Sequence, residues 1–266
     1  MSEGLVHGAD SPCNVALRRN VGSRIACICY TLFVLGIWML SGANNLSRAG
    51  GITICVSSAA LFFYVRWSIK NFFLEVCAIA LKADLADITA AYKLSPPIYR
   101  AQFPPKPDPN GFWVAVSETS GQHCSQVIGF LGLEYPVGGD PSSAELRRMF
   151  ISMHHRRRGI ASQLIRTALS HAQQFNPPLR TLVLETSEFQ LAAQRLYEKH
   201  GFVFAERRVM RMGLLSSVSL LRFRRNTGNT PSEVIKGIAF NPQILIQLHD
   251  ADRIVFIPLA KSNHDF

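Results

Sequence analysis

The stretch that decides the fold runs from Glu145 to Ala161 and reads ELRRMFISMHHRRRGIA. Its first half, 146–152, mixes apolar and β-forming residues over the length of one strand. After the basic cluster, apolar residues recur at steps of three and four, the spacing of one helix face: Ile160, Leu164, Ile165, Ala168, Leu169 and Ala172. The stretch therefore predicts a strand, a tight basic turn that contains glycine, and a helix.

The predicted turn has the chemistry of a phosphate site. The first turn of a helix leaves backbone N–H groups without partners, and the helix dipole makes that end partly positive. Gly159 would let a phosphate come close to the backbone. The arginine cluster 156–158 adds donors that match phosphate oxygens. Taken alone, such a cluster is at least as typical of a solvated loop or a nuclear-localisation signal, so the prediction depends on its context.

A second block supplies that context. Residues 181–187, TLVLETS, predict a strand, and residues 193–202 read AQRLYEKHGF, with a tyrosine on a predicted helix and a closing Gly-Phe. The spacing Glu145…Arg148-Met149…Arg156-x-x-Gly159-x-Ala161 followed by this block resembles motifs A and B of the GNAT N-acetyltransferase superfamily.

The resemblance implies a GNAT-like mixed α/β sheet with flanking helices and direct transfer of an acetyl group from acetyl-CoA, as co-substrate, to a primary amine. It also implies a set of cofactor-binding residues: Met149, Phe150 and Ile151 for the pantetheine, Arg156, Arg157, Arg158, Gly159, Ile160 and Ala161 for the pyrophosphate, and Ser187. Related enzymes often have a CoA-contacting asparagine near Ser187, so this chain departs from the pattern there.

Three residues are candidates for proton transfer. By resemblance, Tyr197 would protonate the leaving thiolate; the alternative is a tyrosine that only packs in the core. Glu145 and Glu134, on strands that border the predicted cleft, would take the proton of the amine directly or through water; the alternative is two ordinary edge carboxylates. Asp84 and Asp87 are predicted to cap a helix rather than to catalyse.

Two uncharged apolar runs, 25–43 and 49–65, lie at the lower length limit of a membrane span and are joined by a short polar loop. They predict a helical hairpin in the membrane; a pair of buried core helices and a shallow re-entrant hairpin are the alternatives. Residues 71–81 contain Glu75 and predict an interfacial helix. Basic residues flank both outer ends of the hairpin, and this favours a catalytic domain on the cytosolic side. They are Arg18, Arg19, Arg24, Arg66 and Lys70.

The apolar hairpin, the stretch 84–92 and the following Phe-Trp-Val-Ala resemble the membrane-bound camello-like branch of the superfamily. This resemblance implies the endoplasmic reticulum. That branch begins with a strand and a helix which residues 1–23 lack, so the first strand is missing, replaced, or supplied by the tail. We therefore predict four regions: a polar N-terminal segment (1–23), the membrane hairpin and interfacial helix (24–82), the acetyltransferase domain (83–225) and a C-terminal extension with a hairpin (226–266).

The composition of the chain narrows the classes of binding partner that it can be expected to have. The chain has 266 residues and a formal net charge of +10, which favours an anionic partner: a phosphate cofactor, a nucleic acid or a membrane surface. Nucleic acid is the weakest of these because no nucleic-acid-binding motif is present. The six cysteines and eight histidines show no metal-ligand spacing and no disulfide framework, so we expect no metal and reduced thiols.

Three hypotheses follow, and we favour the first: a membrane-anchored N-acetyltransferase, a module that binds acyl-CoA without turnover, or a non-enzymatic protein that holds anionic lipid. The acceptor of the first would be a small amino acid, an amino-acid conjugate or a lysine. The proline-rich stretch 94–110 is predicted to shape the acceptor pocket.

Overall fold

The computed structural model describes residues 11–42, 44–93, 109–119, 126–175, 177–212, 215–227, 245–247 and 252–258. Its helices are α1 (Pro12–Val21), α2 (Arg24–Leu40), α3 (Asn45–Lys82), α4 (Ile88–Ala91), α5 (Ile160–Gln174) and α6 (Leu191–Lys199). Its strands are β1 (Gly111–Thr119), β2 (Gln126–Glu134), β3 (Ser143–Ile151), β4 (Thr181–Ser187), β5 (Val203–Arg211), β6 (Ser217–Asn226), β7 (Leu245–Gln247) and β8 (Asp252–Pro258).

The strands form one sheet in the order β5-β6-β4-β3-β2-β1-β8-β7. Only β3 and β4 run parallel among the described pairs, and α5 is the crossover that joins them. Strands β1 to β6 with their helices are the mixed α/β architecture that the sequence predicts, and the predicted strands and helices of residues 111–223 are all present within a few residues.

The core lies between α5 and one face of the sheet. All six residues that predicted the helix face are buried: Ile160, Leu164, Ile165, Ala168, Leu169 and Ala172. They pack against leucines of β2, β3 and β4 and against Phe223 of β6. Each buried leucine, isoleucine or phenylalanine of this core contributes about 1.5–3 kcal/mol by leaving water. The helix ends at Gln174 because the Pro177-Pro178 pair that follows disfavours helical backbone just before it.

Helix α3 has two halves with different surroundings. From Val65 onwards, one residue per turn is buried against the sheet domain and α1: Val65, Ile69, Phe73, Cys77 and Ala80. Before Val65, large apolar side chains such as Ile52, Val56 and Phe63 are exposed. The helix runs unbroken through 71–81, where a separate interfacial helix was predicted, and it accommodates Glu75 on its exposed face.

Helices α2 and α3 pack closely as a hairpin. A Cβ atom on Gly36 would lie 2.9 Å from the Gly51 carbonyl oxygen, and one on Gly51 would lie 2.7 Å from that of Gly36, so both positions require glycine. In the described part of the chain, α3 alone is long and apolar enough to cross a membrane. Helices α1 and α2 meet that test only together, and they are bent by 46° at their junction.

The segment before the hairpin contains a helix that its polar composition did not predict. Ser11 caps α1 by accepting a hydrogen bond from the Asn14 N–H at 3.2 Å, and Pro12 occupies the first helical position. Cys13 and Ala16 are buried in the cluster that joins α1 to α3. The helix therefore braces the start of the hairpin against the domain.

The predicted tail hairpin is present as β7 and β8, and β8 lies beside β1. The two strands are antiparallel, with pairs from Trp113↔Pro258 to Thr119↔Asp252. Of the three possibilities for the first strand, the structure shows the third: a strand from the tail covers this edge of β1.

Candidate active site

The central feature of the site is the point where β3 and β4 separate. They pair from Ser143↔Thr181 to Leu146↔Leu184 and no further, although β3 continues to Ile151 and β4 to Ser187. Beyond Leu146, no strand among the residues that the structure describes pairs with the edge of β3 that faces β4. The gap gives an extended ligand an edge with which to form strand-like hydrogen bonds.

A β-bulge in β3 lies at the start of this gap. Gly132 pairs with Arg147 and Phe130 with Phe150, so that Leu131 stands opposite two residues, Arg148 and Met149. Arg148 has φ +56°, which is unusual for a residue with a side chain. The predicted pantetheine-binding residues, 149–151, come directly after the bulge.

Contacts from the end of α3 hold the bulge in place. Arg148 Nε donates to Asp84 Oδ2 at 2.6 Å, and both side chains are largely buried. The Tyr92 hydroxyl donates to the same oxygen at 3.3 Å. Burial alone would raise the pKa of Asp84, but the hydrogen bond and charge of Arg148 outweigh it, so this pKa lies below its usual value. The cap prediction is correct for Asp87, which accepts from the Ala90 N–H at 2.9 Å, and wrong for Asp84.

The basic turn has the geometry that the sequence predicts. Gly159 has φ +80°, and a Cβ added there would meet no atom within 4 Å. The first bond inside α5 runs from the Gln163 N–H to the Gly159 carbonyl at 3.1 Å, so the N–H groups of Gly159, Ile160 and Ala161 precede it. Open space therefore lies over the positive end of the helix, which fits a pyrophosphate.

The arginines of this turn are exposed, and one of them connects the turn to the gap. Arg156 Nε donates to the Ile151 carbonyl at 3.4 Å. Arg157, with φ +65°, completes the tight backbone path into Gly159. The residues predicted to bind the pyrophosphate and those predicted to bind the pantetheine thus lie on one continuous stretch of surface.

The two candidate glutamates face each other across β2 and β3, in register at Glu134↔Glu145. Glu134 forms an ion pair with Arg147 on the same face. Burial raises the pKa of Glu145, and the carboxylates of Glu185 and Glu134 add to the rise while Arg147 opposes it. Of the pair, Glu145 is therefore better suited to accept a proton near neutral pH.

Tyr197 lies on α6 and belongs to the main core. Its ring packs against Phe202 and Phe223, with centroid distances of 6.1 and 6.3 Å. Burial raises the pKa of its phenol, so the hydroxyl stays protonated at neutral pH. The structure thus shows the packing role, while proton donation stays a prediction.

The polar groups of Ser187 are engaged within the connection between β4 and α6. Its N–H and its hydroxyl both donate to Gln190 Oε1, at 3.2 and 3.3 Å. The neighbouring Glu188 accepts from the Ser219 N–H at 2.9 Å and from Arg19 at 3.2 Å. A cofactor contact by Ser187 stays a prediction, and it would compete with Gln190.

A row of aromatic side chains, which the sequence did not predict, lies beside the glutamates. The rings of Tyr92, Phe112, Phe130 and Phe150 follow one another with centroid distances of 5.1, 5.8 and 5.3 Å. Gly132 makes room for the first ring, because a Cβ there would lie 2.6 Å from the Tyr92 hydroxyl. The row could not be predicted from the sequence, because its members come from β1, β2, β3 and the residue that follows α4. The proline-rich stretch predicted to shape the acceptor pocket lies, from 94 to 108, outside the described residues.

The model of the Acetyltransferase (GNAT) family matches residues 80–202, which include the Asp84 contact, the bulge, the basic turn and Tyr197. Residues 80–202 are a GNAT acetyltransferase domain. Within the described ranges of this chain, no cluster of three His, Cys, Asp or Glu side chains is arranged to hold a metal ion.

The chain is similar to proteins named as N-acetyltransferases and to an N-acetylaspartate synthetase. It is 31% identical over 160 residues to N-acetylaspartate synthetase of Danio rerio, which covers 59% of this chain and 48% of that protein. It is 32% identical over 151 residues to human N-acetyltransferase 8, with 55% and 57% covered, and 32% identical over 172 residues to human N-acetyltransferase 8B, with 62% and 66% covered. The chain thus spans between about half and two thirds of the length of these relatives.

Among solved structures, the chain is similar to a GNAT-family acetyltransferase of Staphylococcus aureus Mu50, with 19% identity, a TM-score of 0.38, and 54% of this chain and 76% of that one covered.

Proposed function

We propose that this chain is a membrane-anchored N-acetyltransferase that transfers the acetyl group of acetyl-CoA directly to a primary amine. The observation that carries the proposal is the gap between β3 and β4, which leads directly to the Gly159 turn. The names of the relatives, all N-acetyltransferases or a synthetase of an N-acetylated amino acid, support it.

The cofactor-binding part of the proposal uses backbone more than side chains. The N–H groups of Gly159, Ile160 and Ala161 bind the pyrophosphate, and the arginines 156–158 balance its charge. The free edge of β3 at 149–151 pairs with the amides of the pantetheine arm. Acetyl-CoA supplies the activated thioester. Holding it in this gap places the acetyl group at the bulge, where proximity favours attack by a bound amine.

Two proton transfers complete the reaction. The amine must lose a proton to become a nucleophile, and Glu145 accepts it, directly or through a water that Glu134 helps to orient. As the thioester carbon–sulfur bond breaks, the sulfur leaves better when protonated, and the hydroxyl of Tyr197 donates that proton.

For the acceptor we propose a small amino acid, an amino-acid conjugate or a lysine, and for the location the endoplasmic reticulum membrane with a cytosolic domain. The exposed apolar residues of α2 and of the first half of α3 support anchoring, since a soluble domain rarely exposes so continuous a surface: Val34, Trp38, Ile52, Val56 and Phe63 are all more than half exposed.

The alternative function is a membrane module that binds acyl-CoA with little turnover. It is favoured by one observation: Ser187, at the position where related enzymes often carry a cofactor-binding asparagine, is occupied by Gln190. Under this alternative the Gly159 turn still binds the cofactor, so binding and turnover must be measured separately.

The test measures CoA release from acetyl-CoA by detergent-solubilised protein over a panel of amines, for wild type and Gly159→Trp. The indole would fill the open space over the α5 N-terminus and exclude the pyrophosphate. Gly139→Trp is a matched control, because Gly139 also has φ +80° and open surroundings but lies in the loop after β2. Both variants bear the same backbone strain, so a difference between them reports on the site.

Amine-dependent release that Gly159→Trp abolishes and Gly139→Trp retains is the expected result. Thermal stabilisation by acetyl-CoA without release, lost only in Gly159→Trp, would favour the binding module. Equal behaviour of the two variants, with neither release nor stabilisation in wild type, would refute both functions.

A further inference from the structure

Strand β5 is the open edge of the sheet, and its end carries both apolar and basic side chains. Every residue from Val203 to Arg211 is exposed, and in the described part of the chain β5 pairs only with β6. Near its end, Val209 is 63% and Met210 40% exposed, and Leu215 in the following turn is 39% exposed. Arg208 and Arg211 flank the Val209-Met210 pair. We call these five residues, 208–211 and 215, the β5 tip.

The β5 tip lies at the point where α3 changes its surroundings. Ser68 Oγ donates to the Met212 carbonyl at 2.9 Å, so the first residue after β5 contacts α3 there. Met212 is buried together with Val65 and Ile69. The tip is therefore held at the level of the first domain-packed turn of α3.

Aromatic and basic residues of α3 lie at the same height along the helix as the β5 tip. Tyr64 and Trp67 are 45% and 60% exposed, and their rings lie 6.2 Å apart. Between them, Arg66 lies 5.7 Å over the Phe62 ring and donates to the Leu17 carbonyl at 3.1 Å. Tyrosine and tryptophan concentrate at membrane–water boundaries, with arginine on the water side. In an anchored protein this turn of α3 is the boundary of the bilayer.

We propose that the β5 tip is a second membrane contact, which inserts Val209, Met210 and Leu215 among the headgroups of an anionic bilayer while Arg208 and Arg211 bind lipid phosphates. The inference rests on the proposed anchoring of α3. Two observations select lipid as the partner: the contact between Met212 and Ser68 holds the tip beside the turn of α3 where the exposed apolar half of the hairpin ends, and the two arginines of the tip complement the charge of anionic lipid.

The contact would fix the orientation of the catalytic domain. With α3 as one point of attachment and the β5 tip as the other, the domain could not turn about the helix axis.

Pairing of the open β5 edge with a second copy of the chain is the competing use of the same surface.

The test is hydrogen–deuterium exchange of full-length protein in nanodiscs of phosphatidylcholine, with or without phosphatidylserine. We expect anionic lipid to slow exchange of the amides of residues 208–216. Each arginine near an anionic surface changes a local binding equilibrium about fivefold. The Arg208→Glu/Arg211→Glu variant should lose the slowing. Arg195→Glu/Lys199→Glu is the control, since it changes the charge equally on α6, which adjoins the other end of β5.

The outcomes separate this proposal from anchoring. If wild type fails to enter nanodiscs, anchoring itself is refuted, and the inference with it. If all variants enter but exchange of 208–216 is equal in neutral and anionic nanodiscs, the β5 contact is refuted while anchoring stands. Slow exchange that instead depends on protein concentration in detergent, with a dimer in light scattering, would assign the edge to a second copy and overturn the proposal.

Discussion

The two faces of the central sheet use the same strands for opposite purposes. Along β3, Ala144 and Leu146 face α5 and are buried, whereas Glu145 and Arg147 face the other way, among carboxylates and aromatic rings. The α5 face is mainly apolar, and its residues can be exchanged for others of equal volume at modest cost. On the opposite face, Arg147 pairs with Glu134 and Arg148 with Asp84. The difference suggests that one face supplies stability and the other supplies chemistry, at the expense of some stability.

The largest effect should come from the α5 face. Leu164 is fully buried, so Leu164→Ala should lower the free energy of unfolding by about 3–4 kcal/mol through lost burial and the cavity left behind. Denaturant unfolding in detergent measures it. Arg166→Ala, on the exposed side of the same helix, is the control and should change stability by less than about 0.5 kcal/mol. A loss below about 1 kcal/mol for Leu164→Ala would mean that this face is not the main core.

A substitution of Tyr197 tests whether stability and chemistry are strictly separated between the two faces of the sheet. Tyr197 is a core residue that also has a proposed chemical role. Tyr197→Phe keeps the ring contacts with Phe202 and Phe223, so stability should stay within about 1 kcal/mol. If the hydroxyl protonates the leaving sulfur, kcat should fall about 100-fold with little change in KM for acetyl-CoA. Steady-state kinetics of CoA release decide the matter. An unchanged kcat would leave Tyr197 a packing residue only.

On the polar face, Asp84→Asn should cost about 2–3 kcal/mol because it leaves the largely buried Arg148 without its counter-charge. The folded-state pKa of Asp84 is lowered, so its stabilisation is present above the unfolded pKa and is lost as pH falls through the folded value. The difference between wild type and variant, followed by thermal unfolding, should therefore shrink in acid. Asp87→Asn is the control and should be neutral, since asparagine caps a helix as well as aspartate does. Equal losses for the two variants would contradict the role of the ion pair.

The smallest effect should have the opposite sign. The folded-state pKa of Glu145 is raised, so its contribution to stability is present below the unfolded pKa and is lost as pH rises through the folded value. Glu145→Gln should consequently be more stable than wild type by up to about 1 kcal/mol at pH 8 and equal to it in acid, while its amine-dependent activity falls. Thermal unfolding across pH 4–8 measures this. Glu185→Gln, on β4, is the control, and a destabilised Glu145→Gln would indicate a structural role instead.

The local elements could be predicted from the sequence because their signals are local. The spacing of apolar residues from Ile160 to Ala172 defines α5, and glycine followed by that pattern defines the turn at Gly159. The strands were recognisable by their β-forming composition. Helix α1 was missed although Ser11-Pro12 is a start signal, because its few buried residues gave no periodic apolar face.

The bulge in β3 could have been detected in the sequence from a change in which positions face the core, although simple alternation of apolar and polar residues does not show it. Leu146, Met149 and Ile151 all pack towards the core, and the change from even to odd positions requires one extra residue between them. The partner of Arg148 could not be predicted, because Asp84 lies 64 residues earlier and no short-range pattern connects the two. The same holds for the place of β8, which depends on pairing with a strand more than a hundred residues before it.

That pairing has a consequence for the order in which the protein is made. Strand β1 leaves the ribosome long before β8 exists, so the growing chain carries one open sheet edge through the synthesis of every other strand. Completion of the sheet then depends on a contact of long sequence separation, and such contacts form slowly. Cells should therefore need to shield the β1 edge from aggregation until β8 arrives.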